Sequence, residues 1–588
     1  MPLQLATTIT CPKPKIRRRH TGCKACKKRG KRCDESKPYC RACVRLKLDC
    51  SYAVEYSFLH HDARSLRSQG KAKKASPVSS ETSDQQIPEK LMVKKPCSPI
   101  LLDCGSNLEA TYWNHFEEHV RRILPGVSDL FMDTGMLSPS LRFAALCISA
   151  SNLSMLNAQV QRRSIKQDIR RSFSSPLVNK LHHTEAKKYH TQALTHSSSR
   201  MQSADPCADL AALVLLAYYH HASTDHLKFR LAVWESVQFV LLNKDSLLRT
   251  AEGIAALQMW HRLCISHRLS KPPAFMLEGE GPSAFGPNRF PDTFDQLFLS
   301  CILNMTTDDL IYDILIKSIE IRSRWALFRS VARSRQISEH ANELGCIAYE
   351  TLNRLLGRPA TDFEQAEAEQ GFVRGSNLVG LLQVQKQRLQ VWKSRLADGQ
   401  LPRDFQSDTN FPTHRDAMNA IYYLLCQMTF EETDKVTHSN DMQASDQSSN
   451  TALASLADRM CQVAGSLDFT NSATEDIYTF SLAETLIQLV LVSRSETLFN
   501  YILDVLWPQM ERRSRGYEHS HYPTHLAKRI IAEIARYWDC GKAITYAQPA
   551  VPENIPKLKL LDINYPLDVV VCGYDEHGGH FIERISLP

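Results

Sequence analysis

Residues 23–50 read CKACKKRGKRCDESKPYCRACVRLKLDC, and this stretch decides how the rest of the chain is understood. Its six cysteines, Cys23, Cys26, Cys33, Cys40, Cys43 and Cys50, form two copies of C-x2-C-x6-C, the second displaced from the first by 17 residues. A C-x2-C pair holds two thiolates at the separation that a tetrahedral ion with metal–sulfur bonds of about 2.3 Å requires. Six thiolates cannot serve two separate four-coordinate ions, so two of them must bridge. The repeat points to its equivalent first positions, Cys23 and Cys40. The expectation is a binuclear cluster holding two Zn²⁺ ions. Iron–sulfur clusters usually take four thiolates each, and copper(I) is the softer competitor. A disulfide framework is the other meaning of dense cysteines. Against it, residues 1–10 show no charged segment leading into a long apolar run.

Beside the cysteines stand the basic run KKRGKR, Lys27–Arg32, and the segment DESKPYC around Pro38. With these residues the stretch resembles the fungal zinc-cluster (Zn2Cys6) transcription factors. The resemblance implies that the first and fourth cysteines bridge the ions, in agreement with the repeat. It also implies that the helix after the second cysteine enters the DNA major groove over a CGG triplet. The base-contacting basic residues of that family lie three and four places after the second cysteine, which here are Arg29 and Gly30. Gly30 departs from the family pattern, because it has no side chain to read a base.

Charge supports a nucleic-acid partner. Residues 11–50 carry 15 lysines and arginines against Asp34, Glu35 and Asp49, a balance of +12, whereas the whole chain carries +8. A basic patch on a small metal module is the electrostatic footprint of a DNA binder. Each C-x6-C interval has room for about two helical turns. The expected helices are Lys27–Arg32, which reads DNA, and Val44–Asp49, which alternates apolar with charged residues and supports it. Arg29 can pair bidentately with guanine O6 and N7. Lys27 and Arg32 are assigned to phosphate, which positions without specifying; at Gly30 either the backbone approaches the base closely, or Lys31 or Lys28 substitutes, or sequence reading is weaker. The module is too short to bury a sufficient core without metal.

Outward from the module, residues 1–19 form a basic arm around KPKIRRRH, Lys13–His20, read as a nuclear-localisation signal or a phosphate-binding arm. Residues 20–52 are the DNA-binding module. Residues 53–104, which include QGKAKKASPVSSETSDQQIPEK, are polar and expected to be a disordered linker. No apolar heptad is sustained there, so a homodimer has no evident coiled coil and half-site spacing cannot be derived.

Residues 105–545 are patterned as a large all-α domain. Expected helices include 110–124, 141–156, 210–219, 227–242, 254–269, 308–334, 338–356, 376–396, 412–431, 451–464, 475–506 and 523–539. A polar loop is expected at 433–450. The segments TYWNHFEEHV, SLRFAALCISASNLS, AKKYHTQALTHSS and ADLAALVLLAYYHH resemble, in order and style, the fungal-specific transcription factor domain. That resemblance implies a regulatory domain. The tail 546–588 carries β-branched runs fit for short strands, and Asp575, Glu576, His577 and His580 there are read as a polar turn rather than a metal site.

The fold class is therefore a small binuclear zinc-cluster module with two short helices, followed by a large all-α helical domain. No HExxH, GxxxxGK[ST], GxSxG or strand-borne GxGxxG motif occurs, so an enzyme is not expected. No run of about 20 apolar residues calls for a membrane partner. Cysteines outside the repeat fall mostly on apolar segments and read as small buried hydrophobes in a reducing compartment. The expected function is a nuclear, sequence-specific regulator of RNA polymerase II transcription acting on double-stranded DNA with the transcription machinery. The competing class is a zinc-dependent protein-interaction co-regulator without base readout.

Overall fold

The computed structural model describes residues 25–26, 29, 33–34, 36, 40–48, 50, 108–125, 138–164, 170–196, 205–270, 301, 305–338, 372–396, 411–438, 447–469, 475–513, 523–548 and 566–587. The arm 1–19, the linker 53–104 and the helix expected at 338–356, beyond Ser338, lie outside them. The chain divides into two units, Met1–Leu101 and Leu102–Pro588.

In the first unit, helix α1 spans Arg41–Arg45. It starts three residues before the expected Val44, because Cys40 is its N-cap and its Sγ accepts the Cys43 N–H at 3.4 Å. The helix ends in a Schellman turn: Leu48 N–H donates to Cys43 O at 3.0 Å and Lys47 N–H to Val44 O at 3.2 Å. Lys47 takes the left-handed conformation, φ 51°, that this turn needs. The reversal returns Cys50 to Cys40.

The second unit begins with α2, Leu108–His115, which continues through a π-helical stretch, Phe116–Val120, into α3, Arg121–Ile123. Then come α4 (Pro139–Leu156), strands β1 (Gln159–Arg163) and β2 (Phe173–Leu177), α5 (Lys180–His196), α6 (Pro206–Ala222), α7 (His226–Leu247) and α8 (Ala251–Ser270). Helix α6 starts at Pro206 because Asp205 accepts the Cys207 and Ala208 N–H groups, both at 3.1 Å, and proline suits the first helical position. It is buried nearly all round and is wrapped by α4, α7 and α8. These elements build one apolar core around Tyr112, Leu146, Tyr218, Phe229 and Trp260.

The second core is built by α9 (Thr307–Ser338), α10 (Phe372–Arg395), α11 (His414–His438), α12 (Gln447–Ser466), α13 (Leu482–Val492) and α14 (Glu496–Asn500). A further π stretch, Tyr501–Leu506, leads into α15 (Trp507–Arg513), and α16 (Thr524–Asp539) follows. The expected single helix over 475–506 is broken, because Ser481 forms a capping box with Glu484 at the start of α13 and Ser495 caps α14. The polar segment 433–450 is not a loop throughout: it is helical to His438 and again from Gln447. Asp313, fully buried on α9, is held between Lys317 at 2.6 Å and Arg388 at 2.7 Å. Burial opposes its charge, yet these two cations and His261 hold its carboxyl below the usual range.

The tail is a three-stranded antiparallel sheet, β3 (Lys542–Gln548), β4 (Leu567–Asp575) and β5 (His580–Leu587), packed against α9 and α16. Strand also enters the region expected to be all-α: β1 pairs with β2, from Gln159↔Leu177 to Arg163↔Phe173. Strand β1 is exposed, and β2 is anchored on α16, where Phe173 stacks on His525 at 5.3 Å. Among the described residues, no helix is long and apolar enough to cross a membrane.

Candidate metal centre and nucleic-acid interface

Among the described residues of the cysteine module, sulfur makes most of the core. Among these residues, Cys26, Cys40, Cys43 and Cys50 are buried together, with Ala25, Cys33 and Ala42 packed against them. Val44, Leu46 and Leu48, the apolar positions expected to support the module, are exposed, Val44 by 62%. Burial of sulfur is therefore the organising interaction, which carbon packing does not replace.

Two ligand triads are present: Cys26, Cys33 and Cys40, and Cys40, Cys43 and Cys50, with the sulfurs of each lying within 4.8 Å of one another. Cys40 belongs to both, as the repeat argues for a bridging sulfur. The sixth cysteine, Cys23, lies outside the described residues. The Cys26 and Cys40 sulfurs are 3.7 Å apart, far beyond the roughly 2.05 Å of a disulfide. Thiolates gathered this closely repel one another unless cations lie between them, and a sulfur-only donor set selects zinc over calcium or magnesium. Backbone N–H groups are aimed at the cluster, among them Cys40 N–H to Cys50 Sγ at 3.3 Å and Cys43 N–H to Cys40 Sγ at 3.4 Å. Donors of this kind stabilise the thiolate form and fix its direction.

Asp34, counted in the sequence only for its charge, also shapes the module. Its carboxylate accepts from Ser36 Oγ at 2.6 Å and from Arg41 N–H at 3.1 Å, at the first residue of α1. The Ser36 and Arg41 bonds lower its pKa. No fixed spacing announces such a contact.

Of the residues expected to contact DNA, Arg29 is described. It is exposed, and its N–H donates to Ala25 O at 3.1 Å, the α-helical bond that places it one turn after Ala25. Lys27, Lys28, Gly30, Lys31 and Arg32 lie outside the described residues.

Other candidates fall away. Asp575, Glu576, His577 and His580 form the β4–β5 turn: Asp575 accepts from His577 N–H at 3.0 Å and Gly579 N–H at 2.7 Å. Gly578 supplies the positive φ of 77° that the turn demands. Cys147, Cys264, Cys301, Cys426, Cys461 and Cys572 are buried, while Cys207 is half-buried and Cys540 exposed. Burial pushes the Cys301 and Cys461 thiols up to about 12, the opposite of a reactive thiolate. His182 and His220 are buried: His182 bonds Tyr112 OH at 3.0 Å, and His220 meets His190 at 3.1 Å.

Comparison with known proteins agrees with this geometry. Residues 21–56 match the fungal Zn(2)-Cys(6) binuclear cluster domain, which binds two zinc ions. The chain is similar to the transcriptional regulatory protein pro1 of Neurospora crassa, 36% identical over 122 residues, 19% of this chain and 18% of that protein. It is 26% identical over 228 residues to the transcriptional activator protein UGA3 of Saccharomyces cerevisiae, 35% of this chain and 40% of that one. It is 39% identical over 54 residues to the sterol uptake control protein 2 of Candida albicans, 9% of this chain and 8% of that protein. The chain spans less than half the length of each. The similarity to UGA3 covers more residues than the first unit holds, so it extends into the second. No solved structure matches. The chain thus carries a two-zinc cluster domain near its start and is similar, over part of its length, to proteins named as transcriptional regulators.

Proposed function

We propose that this chain is a nuclear, sequence-specific regulator of RNA polymerase II transcription whose zinc module reads CGG-like sites in double-stranded DNA. The observation that supports this most is Arg29, exposed on the helical turn that begins at Ala25 beside Cys26. A guanidinium held there by the cluster can pair with guanine, Lys28 or Lys31 can stand in at the base where Gly30 cannot reach, and Lys27 and Arg32 supply phosphate contacts. The names of the relatives, a regulatory protein and an activator, support a role in transcription rather than in catalysis. By the same family analogy, the regulated genes belong to one metabolic or natural-product cluster. The basic arm 1–19 serves nuclear entry, and a homodimer, if formed, uses contacts other than a coiled coil.

The test is fluorescence anisotropy of the full chain on a CGG-containing duplex and on a scrambled one. Arg29→Ala is expected to lose about 1–3 kcal/mol on CGG DNA alone. Lys27→Ala is expected to weaken both duplexes alike and to reduce the salt slope by about one. Equal losses on both duplexes for Arg29→Ala would rule out its reading role, and binding to DNA that does not weaken as salt rises would favour the protein-interaction co-regulator instead.

A further inference from the structure

Helix α7, His226–Leu247, packs on α6 and α8. Its inner face, with Phe229, Val233, Ser236, Phe239 and Val240, is buried. A helix packed on one side ordinarily turns polar residues to the other. Helix α7 does not. Leu227, Leu231, Trp234 and Leu242 stand on its outer side, exposed by amounts from 53% for Leu231 to 74% for Leu242. Single exposed leucines are ordinary, but these recur at helical spacing and form one stripe with the exposed Gln238. A contiguous apolar stripe on an outer face marks an interaction surface.

The charges beside the stripe point to what covers it. Lys228 lies in the first turn of α7 and Asp245 in the last, both exposed. The first turn of a helix favours acids and the last favours bases, so both charges oppose the dipole of their own helix. No ion pair holds either one among the described residues. An antiparallel α7 from a second copy reverses the relation. Lys228 then meets the negative end of the partner helix, and Asp245 its positive end.

One register satisfies the whole stripe. Lys228 stands three places before Leu231, and Asp245 three places after Leu242. Setting Leu231 against Leu242 of the second copy therefore sets Lys228 against its Asp245 and Glu235 against its Gln238. The two-fold axis falls level with Ser236 and Val237. Trp234 lies within one turn of it, so two indoles occupy the centre. Each pair occurs twice, as an isologous interface requires.

We propose that α7 is a self-association surface, through which two copies of this chain pair as antiparallel helices about Trp234. The pairing uses the second unit and no residue of the zinc module, so it goes beyond the DNA-reading function, and its test needs no DNA. One helix pair falls at the small end of interfaces, below about 1,200 Å² in total, so the dimer is weak, with micromolar dissociation.

The test is sedimentation velocity of the full chain without DNA, from about 1 to 100 μM. A monomer–dimer equilibrium is expected. Trp234→Ala should weaken it about tenfold or more, as loss of a central indole does. Val391→Ala, at an exposed apolar position on α10, should leave it unchanged. Lys228→Asp or Asp245→Lys alone should weaken it several-fold by setting like charges together. Both changes agree with the dipole of α7, so neither harms the helix. The double variant, and an equimolar mixture of the two single variants, should each recover the wild-type association, because opposite charges face one another again. A chain that stays monomeric throughout, a dimer indifferent to Trp234→Ala, a dimer weakened as much by Val391→Ala, or charge variants that their mixture does not rescue would overturn the inference.

Discussion

Arg322 on α9 and Glu432 on α11 form a two-pronged ion pair inside the second core, Nε to Oε2 and Nη2 to Oε1, the latter at 2.9 Å. The same guanidinium donates to Leu491 O at 2.8 Å and Thr545 O at 3.1 Å, so one side chain ties α9, α11, α13 and β3 together. Both partners are buried. Removing one leaves the other charge without its main partner, which typically costs about 3–5 kcal/mol. Arg322→Ala should therefore lower the urea midpoint of the second unit sharply. Arg322→Met combined with Glu432→Leu should recover most of the loss, since well-packed apolar groups often replace such a pair. A loss under about 1 kcal/mol for the single variant would contradict the role assigned to the pair.

His414 gives a pH dependence. Burial would lower its pKa, but Asp476 at 2.8 Å, with Glu475 and Asp468 nearby, raises it above the ordinary value. A group whose folded pKa is raised adds stability that is fully present below the unfolded value of about 6.5 and is lost as pH rises through the folded value. The melting temperature should fall from about pH 6 to pH 9 by more in the wild type than in His414→Gln. Parallel curves for the two proteins would contradict the pairing.

Cys40 is shared by both sulfur triads, whereas Cys33 belongs to one of them. Cys40→Ala should strip both zinc sites, and Cys33→Ala should damage one more than the other. Metal content per chain distinguishes them, and equal retention in the two variants would remove the bridge assigned to Cys40.

The module's core is sulfur, with Ala25 and Ala42 beside it. Structural zinc contributes on the order of 10–16 kcal/mol in small modules of this kind. In excess chelator, amides of residues 25–50 should lose protection from hydrogen exchange while those of α4, α6 and α13 keep theirs. Retained protection in the module would show that it folds without metal.

The cysteine repeat was legible because metal ligation imposes fixed spacing on a short stretch of chain. The start of α1 was not, because its cap is Cys40 rather than one of the usual capping side chains. Helix α5 gave a weak signal: its buried face is His182, Ala186, Tyr189 and Ala193 in an otherwise polar segment. Strand β1, QVQRR, lacks apolar alternation and is held by pairing with β2 rather than by burial of its own side chains. The breaks at Ser481 and Ser495 are written as serine caps, but the apolar run around them masks the signal.

The most direct measurement is metal and thiol analysis of the intact chain purified under reducing conditions. Two zinc ions per chain are expected, with Cys23, Cys26, Cys33, Cys40, Cys43 and Cys50 shielded from alkylation until the metal is removed. A metal-free chain with sulfur–sulfur links among these six residues would contradict the account at its root.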